Sequence, residues 1–78
     1  QLIASELNRG IMAYNNAHTL LNGYKRYIDS ESYNTLKAYA KALEDVIDNL
    51  SKEGLDMYTP PVEQLCYSIC NQYGIQLY

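Results

Sequence analysis

The chain has 78 residues, a net charge of −3 at pH 7 and hydrophobic residues at 47% of its positions. This length suits one small domain over residues 1–78, and the balance of hydrophobic and charged residues is typical of a folded chain rather than a disordered one. The negative charge argues against a nucleic-acid binder that relies on phosphate attraction, and no apolar run approaches the ~20 residues that a membrane span requires.

The first predicted element is a helix over about residues 2–22. Its apolar positions recur three or four residues apart, which is the spacing of one helix face. They are Ile3, Leu7, Ile11, Tyr14, His18 and Leu21, with the histidine as a half-apolar member. Because His18 belongs to this stripe, we expect it at a helix–helix contact rather than as a general base. Gly23 is expected to end the helix, since glycine tolerates the left-handed conformation found there.

The second predicted helix spans about residues 30–53 and has the clearest amphipathic pattern. Its apolar positions are separated by alternating gaps of three and four residues: Tyr33, Leu36, Ala40, Leu43, Ile47 and Leu50. Asp29 is the expected N-cap, and Ile28 before it is placed to pack on Tyr33 as a hydrophobic staple. Gly54 is expected to end this helix.

The third predicted helix spans about residues 60–73. Thr59 is the expected N-cap, and Pro60 and Pro61 suit a first turn, where a missing N–H group has no helical partner to lose. An apolar stripe follows and is closed by Gly74; its members are Val62, Leu65, Cys66, Ile69, Cys70 and Tyr73. Three amphipathic helices joined by short loops predict an all-α fold, a small antiparallel three-helix bundle.

The two cysteines, Cys66 and Cys70, lie four residues apart. On a helix this spacing puts their Cβ atoms roughly 5–6 Å apart, whereas a disulfide requires ~3.8 Å. A redox pair is typically C-x-x-C at a helix N-terminus, which does not match this pattern. We expect two unpaired core thiols with no metal or other cofactor, a state that favours the cytoplasm. The alternative is half of a zinc site, completed by His18 and a carboxylate or by a second chain.

The first loop contains the most distinctive candidate binding residues, Tyr24-Lys25-Arg26-Tyr27. Two aromatic rings beside two cations can stack on a sugar ring or a base, and exposed aromatic residues are common in recognition sites. The alternative is that one tyrosine packs on the core and the other residues simply lie at the surface.

Two further candidate surfaces lie on the predicted helices. Glu44 and Asp48 belong to an acidic cluster on the second helix, which is either a solvated face or a contact for a basic partner. Tyr67 lies between the two cysteines and is expected on the outer side of the third helix, where it can contact a partner.

One stretch of the chain resembles a known family. Ile28-Asp29-Ser30-Glu31-Ser32-Tyr33, followed by Leu36, Ala40, Leu43 and Ile47, resembles the central helix of FIVAR-type modules. Thr59, Val62, Leu65 and Ile69 are similar to the third helix of that family, so the resemblance covers about residues 24–73. It implies a non-catalytic three-helix bundle of a secreted or wall-attached bacterial protein, which contacts carbohydrate or serves as a spacer.

These patterns together predict a non-catalytic interaction module. We find no catalytic or phosphate-binding motif in the sequence, and we expect no catalytic residue. The expected partner is a protein, contacted through the tyrosine-bearing rim and the acidic helix face. A small inhibitor or adaptor from a phage or mobile element has this profile by analogy, and a homodimer stays open. The alternative function is an extracellular FIVAR-type module that contacts carbohydrate or acts as a spacer.

Overall fold

The computed structural model describes residues 4–77, and within that range the chain forms three α-helices. Helix α1 spans Ala4–Gly23, α2 spans Ser30–Asp48 and α3 spans Lys52–Tyr73. A short 3-10 helix, Lys25–Tyr27, lies in the connection between α1 and α2. Each α-helix packs against the other two, so the predicted all-α three-helix bundle is confirmed. The predicted start of the first helix at residue 2 lies outside the described residues.

Helices α1 and α2 run antiparallel. The Tyr14 hydroxyl of α1 donates a hydrogen bond to Glu44 Oε2 of α2 at 2.7 Å. About one turn earlier in α1, Gly10 faces Ile47, which lies about one turn later in α2. Residue numbers therefore rise along α1 as they fall along α2.

Helix α3 runs antiparallel to α2 and therefore parallel to α1. At one end of the bundle the Tyr73 hydroxyl of α3 donates a hydrogen bond to Asp29 Oδ1 at 2.6 Å, at the N-terminus of α2. At the other end Gly54 of α3 packs against Val46 of α2. The bundle measures 39 × 22 × 16 Å. Because α1 and α3 are parallel neighbours, they lie side by side along most of its length.

The core is aliphatic and draws on all three helices. Its buried members, with Ile28 from the first connection, are Ala13, Ala17, Leu20, Ile28, Leu36, Ala40, Leu43, Leu55, Val62, Cys66 and Ile69. The stripe predicted for α2 supplies the buried residues of that helix. The predicted N-cap is also confirmed, because Asp29 Oδ2 accepts a hydrogen bond from the Ser32 N–H at 3.0 Å.

The stripe predicted for α1 was displaced by about one residue from the face that is buried. The buried positions are Gly10, Ala13, Ala17 and Leu20, and the larger apolar residues lie beside them, half-buried. His18 is exposed and its ring contacts the Asn22 side chain, so its expected place at a helix–helix contact was wrong. The physical reason is size, since small residues allow α1 to approach its neighbours closely, which a stripe of large residues would prevent.

The boundary between the second and third helices differs from the prediction. Helix α2 ends at Asp48, Leu50 adopts a left-handed φ of 53°, and Ser51 is the N-cap of α3, accepting from the Gly54 N–H at 3.1 Å. The expected stop at Gly54 and the expected N-cap at Thr59 were therefore wrong.

Helix α3 continues through its two prolines because its buried face crosses them. Its buried positions are four, three, four and three residues apart: Leu55, Thr59, Val62, Cys66 and Ile69. A proline inside a helix removes a backbone hydrogen bond, at about 3 kcal/mol. Burial of Leu55 and Val62 at opposite sides of Pro60 and Pro61 offsets part of that loss, at about 1.5–3 kcal/mol for each fully buried side chain. The predicted end at Gly74 is confirmed, since this residue adopts a left-handed φ of 67°.

We predict that Gly54→Ala destabilises the bundle although alanine is the better helix former. A Cβ at this position would lie 2.6 and 2.8 Å from the two Cγ atoms of Val46, a stiff β-branched side chain. Overpacking of this kind costs about 1–3 kcal/mol, whereas the gain in helix propensity is at most about 1 kcal/mol. Urea unfolding followed by circular dichroism should show a lower free energy of unfolding.

Gly23→Ala is the matched control for this prediction. Gly23 has no atom within 4 Å of its added Cβ among the described residues outside its own helix backbone and its chain neighbours. Its substitution should leave the unfolding midpoint unchanged or slightly raised. An equal loss of stability in both variants would show that glycine flexibility, rather than contact with Val46, sets the requirement at residue 54.

Candidate functional site

A groove of about 560 Å³ runs between α1 and α3. Its lining residues come from these two helices: Ser5, Asn8, Arg9, Met12, Ala13, Asn16, Glu63, Gln64, Cys66 and Tyr67. The contributions of α1 recur three or four residues apart, so they form one stripe along that helix. We call this surface the α1–α3 groove.

The depth of the α1–α3 groove comes from a contrast in side-chain size. Ala13 and Cys66 are buried at its floor, each with only 3% of its surface exposed. Met12 and Tyr67 stand on its two walls and are 61% and 64% exposed. Small residues at the floor and large ones at the rim leave a concave surface with apolar edges.

An ion pair crosses the groove from one wall to the other. Arg9 Nε donates to Glu63 Oε2 at 2.8 Å, and Arg9 Nη2 donates to Glu63 Oε1 at 2.6 Å. These hydrogen bonds and the carboxylate charge raise the pKa of Arg9. The pair is exposed and therefore adds little to stability, but its two parallel hydrogen bonds hold both side chains in one geometry.

The structure places Tyr67 where the sequence predicts it, on the outer side of α3. Sequence reasoning missed Met12, Arg9 and Glu63. The two charged residues are 54 positions apart, and their pairing depends on the parallel register of α1 and α3. The exposure of Met12 could have been predicted, since this large apolar residue lies beside the predicted stripe and not within it.

The predicted loop surface lies at the end of the bundle where α1 meets α2. Tyr24 is half-buried against the core, whereas Arg26 and Tyr27 are exposed. The Tyr24 and Tyr27 rings lie 6.4 Å apart, and the exposed Lys25 places its Nζ 5.6 Å above the ring of Tyr33. One tyrosine therefore packs on the core and the other three residues lie at the surface, and their role in binding stays a prediction.

The two acidic candidates lie on α2, away from the loop. Glu44 accepts the Tyr14 hydrogen bond at 2.7 Å, which raises the pKa of Tyr14, and the Asp48 charge acts in the same direction. Glu44 lies fourteen positions after Ser30 in the same helix, about 21 Å along its axis at 1.5 Å per residue. The structure therefore brings neither Glu44 nor Asp48 together with the loop residues, and Tyr67 belongs to the α1–α3 groove instead.

Both cysteines are free thiols on the inner side of α3. Cys66 is buried and Cys70 is half-buried, so their predicted role as core residues is confirmed. Burial raises the pKa of Cys66 to about 12, and burial also raises the pKa of Cys70. Among residues 4–77, no three His, Cys, Asp or Glu side chains are grouped as a metal ion would require.

We predict that the two thiols differ in reactivity by about tenfold or more. The thiolate is the reactive form, and access limits its modification, so the half-buried Cys70 should react first with Ellman's reagent at pH 8. Cys66→Ser and Cys70→Ser variants assign the two rates, and denaturant should make the rates equal. Faster modification of Cys66 in the folded protein would contradict the burial described above.

Asp29 lies at the same end of the bundle as the loop residues and connects two helices there. Its carboxylate accepts hydrogen bonds from the Tyr73 hydroxyl and from the Ser32 N–H. Because both bonds favour the ionised form, with the Tyr73 bond the larger effect, they lower the pKa of Asp29 from 3.8 to about 2. The same bond raises the pKa of Tyr73. The carboxylate thus links the start of α2 to the end of α3.

We predict that this carboxylate contributes to acid stability. Its folded pKa lies below its unfolded value, so its contribution is complete above about pH 4 and is lost as the pH falls through about 2. Asp29→Asn keeps an N-cap but removes the titration. Thermal unfolding between pH 5 and pH 2 should show a smaller fall in Tm for this variant than for the wild type.

Asp45→Asn is the control, because Asp45 is an exposed carboxylate of the same helix. Its pH profile should follow that of the wild type. If Asp29→Asn loses Tm as steeply as the wild type does, other carboxylates account for the acid sensitivity.

Comparison of the chain with protein-family models, with curated proteins and with solved structures finds no match. The resemblance to FIVAR-type modules therefore stays a prediction. Within residues 4–77, none of the helices has both the length and the apolar character that crossing a bilayer requires.

Proposed function

We propose that this protein is a non-catalytic interaction module that binds a protein partner, with the α1–α3 groove as its main contact surface. The observation that carries the proposal is the pair of exposed apolar side chains, Met12 and Tyr67, on the two walls of the groove. Large exposed apolar residues around a concave surface are typical of binding sites.

The composition of the groove supports a protein as the partner. Tyr, Met and Arg are enriched at protein interfaces, and the groove presents Tyr67, Met12 and Arg9 together. The ion pair of Arg9 with Glu63 holds one part of the rim in place before a partner arrives, which reduces the conformational entropy lost on binding.

The shape of the groove supports an α-helix as the segment that binds. Its α1 wall extends from Ser5 to Asn16, twelve residues with a rise of about 16 Å from first to last, which corresponds to three helical turns. Two parallel helices offer a furrow that a third helix can occupy, so the complex would resemble a four-helix bundle. Its apolar anchors would be residues three, four or seven apart that meet Met12 and Tyr67.

The charge of the chain supports a partner with basic character around the bound helix. The net charge is −3, and Glu44 and Asp48 are exposed on α2. Complementary charge at the rim of an interface mainly speeds association and selects the partner. A small inhibitor or adaptor, as expected from a phage or mobile element, acts in this way through its surface.

Carbohydrate is the second candidate ligand, and one observation favours it. The groove sets amide side chains, including Asn8 and Gln64, near the exposed ring of Tyr67. An aromatic face with neighbouring amide donors and acceptors is suited to a sugar ring, as the FIVAR-type resemblance implies. A glycan array probed with the same variants as below distinguishes this candidate from a protein partner.

The test is selection of peptides from a displayed random library by the immobilised chain. We predict enrichment of amphipathic helical sequences whose binding weakens by about tenfold or more with Tyr67→Ala and with Met12→Ala, because a few large side chains supply most of the binding energy of such interfaces. Binding is measured by isothermal titration calorimetry, and amide shifts in NMR spectra locate the contact.

Matched controls are available for both substitutions. Tyr27 is 61% exposed in the loop, and Met57 is 63% exposed on α3 outside the groove lining. Tyr27→Ala and Met57→Ala should leave affinity unchanged. If Tyr27→Ala abolishes binding while Tyr67→Ala does not, the loop residues are the contact surface and the groove is not.

A further inference from the structure

The side of the bundle formed by α1 and α3 is poor in charged residues. Two stretches of fourteen residues, 10–23 and 64–77, contain no Asp, Glu, Lys or Arg. At 19% charged residues, 28 positions of this chain would hold about five. Arg9 and Glu63, the charged residues that line the α1–α3 groove, neutralise each other. Because charged residues are depleted at the centre of protein interfaces, this side has the composition of a contact surface.

The net charge of the chain lies on the other side of the bundle. Helix α2 packs against both α1 and α3 and therefore lies behind the α1–α3 groove. It contains four acidic and two basic residues, a net charge of −2 out of the −3 of the whole chain. A second copy that docks on the groove meets no excess of like charge there, and the two α2 helices lie on the outer sides of the pair.

The parallel direction of α1 and α3 suits a pair with two-fold symmetry. A two-fold axis perpendicular to the groove places α1 of each copy over α3 of the other, with the facing helices antiparallel. Antiparallel neighbours bring opposite ends of their helix dipoles together, whereas parallel neighbours bring like ends together. Two-fold dimers are also the commonest symmetric assemblies of soluble proteins.

Met12 and Tyr67 stand at nearly the same height along the groove. Arg9 contacts Glu63; Met12 lies three residues after the arginine, and Tyr67 lies four residues after the glutamate. At 1.5 Å per residue these steps rise about 4.5 and 6 Å, so the two side chains lie within about 2 Å of one level. A two-fold axis at that level stacks Met12 of each copy on the Tyr67 ring of the other, and a methionine sulfur makes favourable contacts with aromatic rings.

The same rotation gives the ion pair of each copy a polar surface to contact. Residues one turn before the axis lie over residues one turn after it. Arg9 therefore faces Asn71 of the other copy, and Glu63 faces the other copy's Asn16. An amide group both donates and accepts hydrogen bonds, so it bonds to either member of the ion pair without adding charge. The guanidinium has donors left for this contact, since it uses Nε and Nη2 toward Glu63.

The size of this side is sufficient for a specific dimer. The bundle measures 39 × 22 × 16 Å, and even its narrower long side, 39 × 16 Å, covers about 620 Å² in flat projection. Two copies together then bury about 1,200 Å² or more, which reaches the lower end of the range for specific protein interfaces, about 1,200–2,000 Å².

We propose that the α1–α3 groove binds a second copy of this chain, in a two-fold dimer that pairs Met12 of each copy with Tyr67 of the other. The proposal names an occupant for the groove, so it rests on the proposed function of this groove as a protein-binding surface. Helix α2, with its acidic residues, stays on the outside of the dimer.

The first test is sedimentation equilibrium of the full chain between about 1 µM and about 1 mM, the range in which a weak specific pair dissociates. We expect the mass to rise with concentration from 8.9 kDa towards twice that value. Met12→Lys and Tyr67→Glu should each weaken dimerisation by about tenfold or more, because each places a charge on an apolar contact. The matched controls, Met57→Lys and Tyr27→Glu, change residues that are equally exposed and outside the groove lining, and they should dimerise like the wild type.

The second test is a mixture of the two groove variants, which examines the pairing itself. In a mixed dimer the Lys introduced at position 12 of one copy meets the Glu introduced at position 67 of the other, while the second Met12–Tyr67 contact is intact. The mixture should therefore dimerise at least about tenfold more tightly than either variant alone. Circular dichroism confirms that both variants are folded, as expected for substitutions at exposed positions.

Three results would overturn the proposal. A mass fixed at 8.9 kDa up to the highest concentration would exclude the dimer. Dimerisation that Met57→Lys or Tyr27→Glu weakens, and the groove variants do not, would place the contact on another side. Weak groove variants without rescue in the mixture would exclude the Met12–Tyr67 pairing. A monomeric chain that still selects helical peptides would leave the proposed function standing, whereas a dimer that selects none would contradict binding of a separate partner alone.

Discussion

The fold depends on the close approach of α3 to the other two helices, which two glycines permit. Gly10 of α1 faces Leu55 and Thr59, and an added Cβ there would lie 2.7 Å from Leu55 Cδ2. Gly54 of α3 stands equally close to Val46 of α2. Because these contacts commit the first turns of α3 to the core, the helix must begin near residue 52 and continue through its prolines. The α1–α3 groove follows from that alignment of the two helices.

The parts of the fold that were predictable are those decided within a few residues. Asp29 before a regular apolar stripe predicted the start of α2, and Gly74 predicted the end of α3. The start of α3 was not predictable in the same way, because Gly54 and Thr59 look like local stop and start signals. Their roles are instead to contact other helices, since Gly54 meets Val46 of α2 and Thr59 meets Gly10 of α1. Local chemistry and tertiary packing conflict here, and packing prevails.

The candidate site also has a part that was predictable from one helix and a part that depends on contacts between helices. Tyr67 could be predicted as exposed from the stripe of its own helix. The groove around it could not, because its floor requires Ala13 and Cys66 to be neighbours and its rim requires Arg9 to meet Glu63 across two helices. The apolar stripe predicted for α1 consists of larger residues, so it did not include Ala13. The shape of a groove depends on the side-chain sizes of both helices that form it, so it cannot be predicted from the sequence of either helix alone.

The packing of the bundle gives a physical reason for the use of tyrosine as the aromatic residue. The buried core of residues 4–77 consists of aliphatic residues and Cys66, without an aromatic ring. Tyr14 and Tyr73 lie at its edge and use their hydroxyls to bond across helices, which phenylalanine could not do. Tyr27 and Tyr67 are largely exposed and have no such packing role. At these two positions water can solvate the hydroxyl, so tyrosine places less apolar surface in water than phenylalanine would.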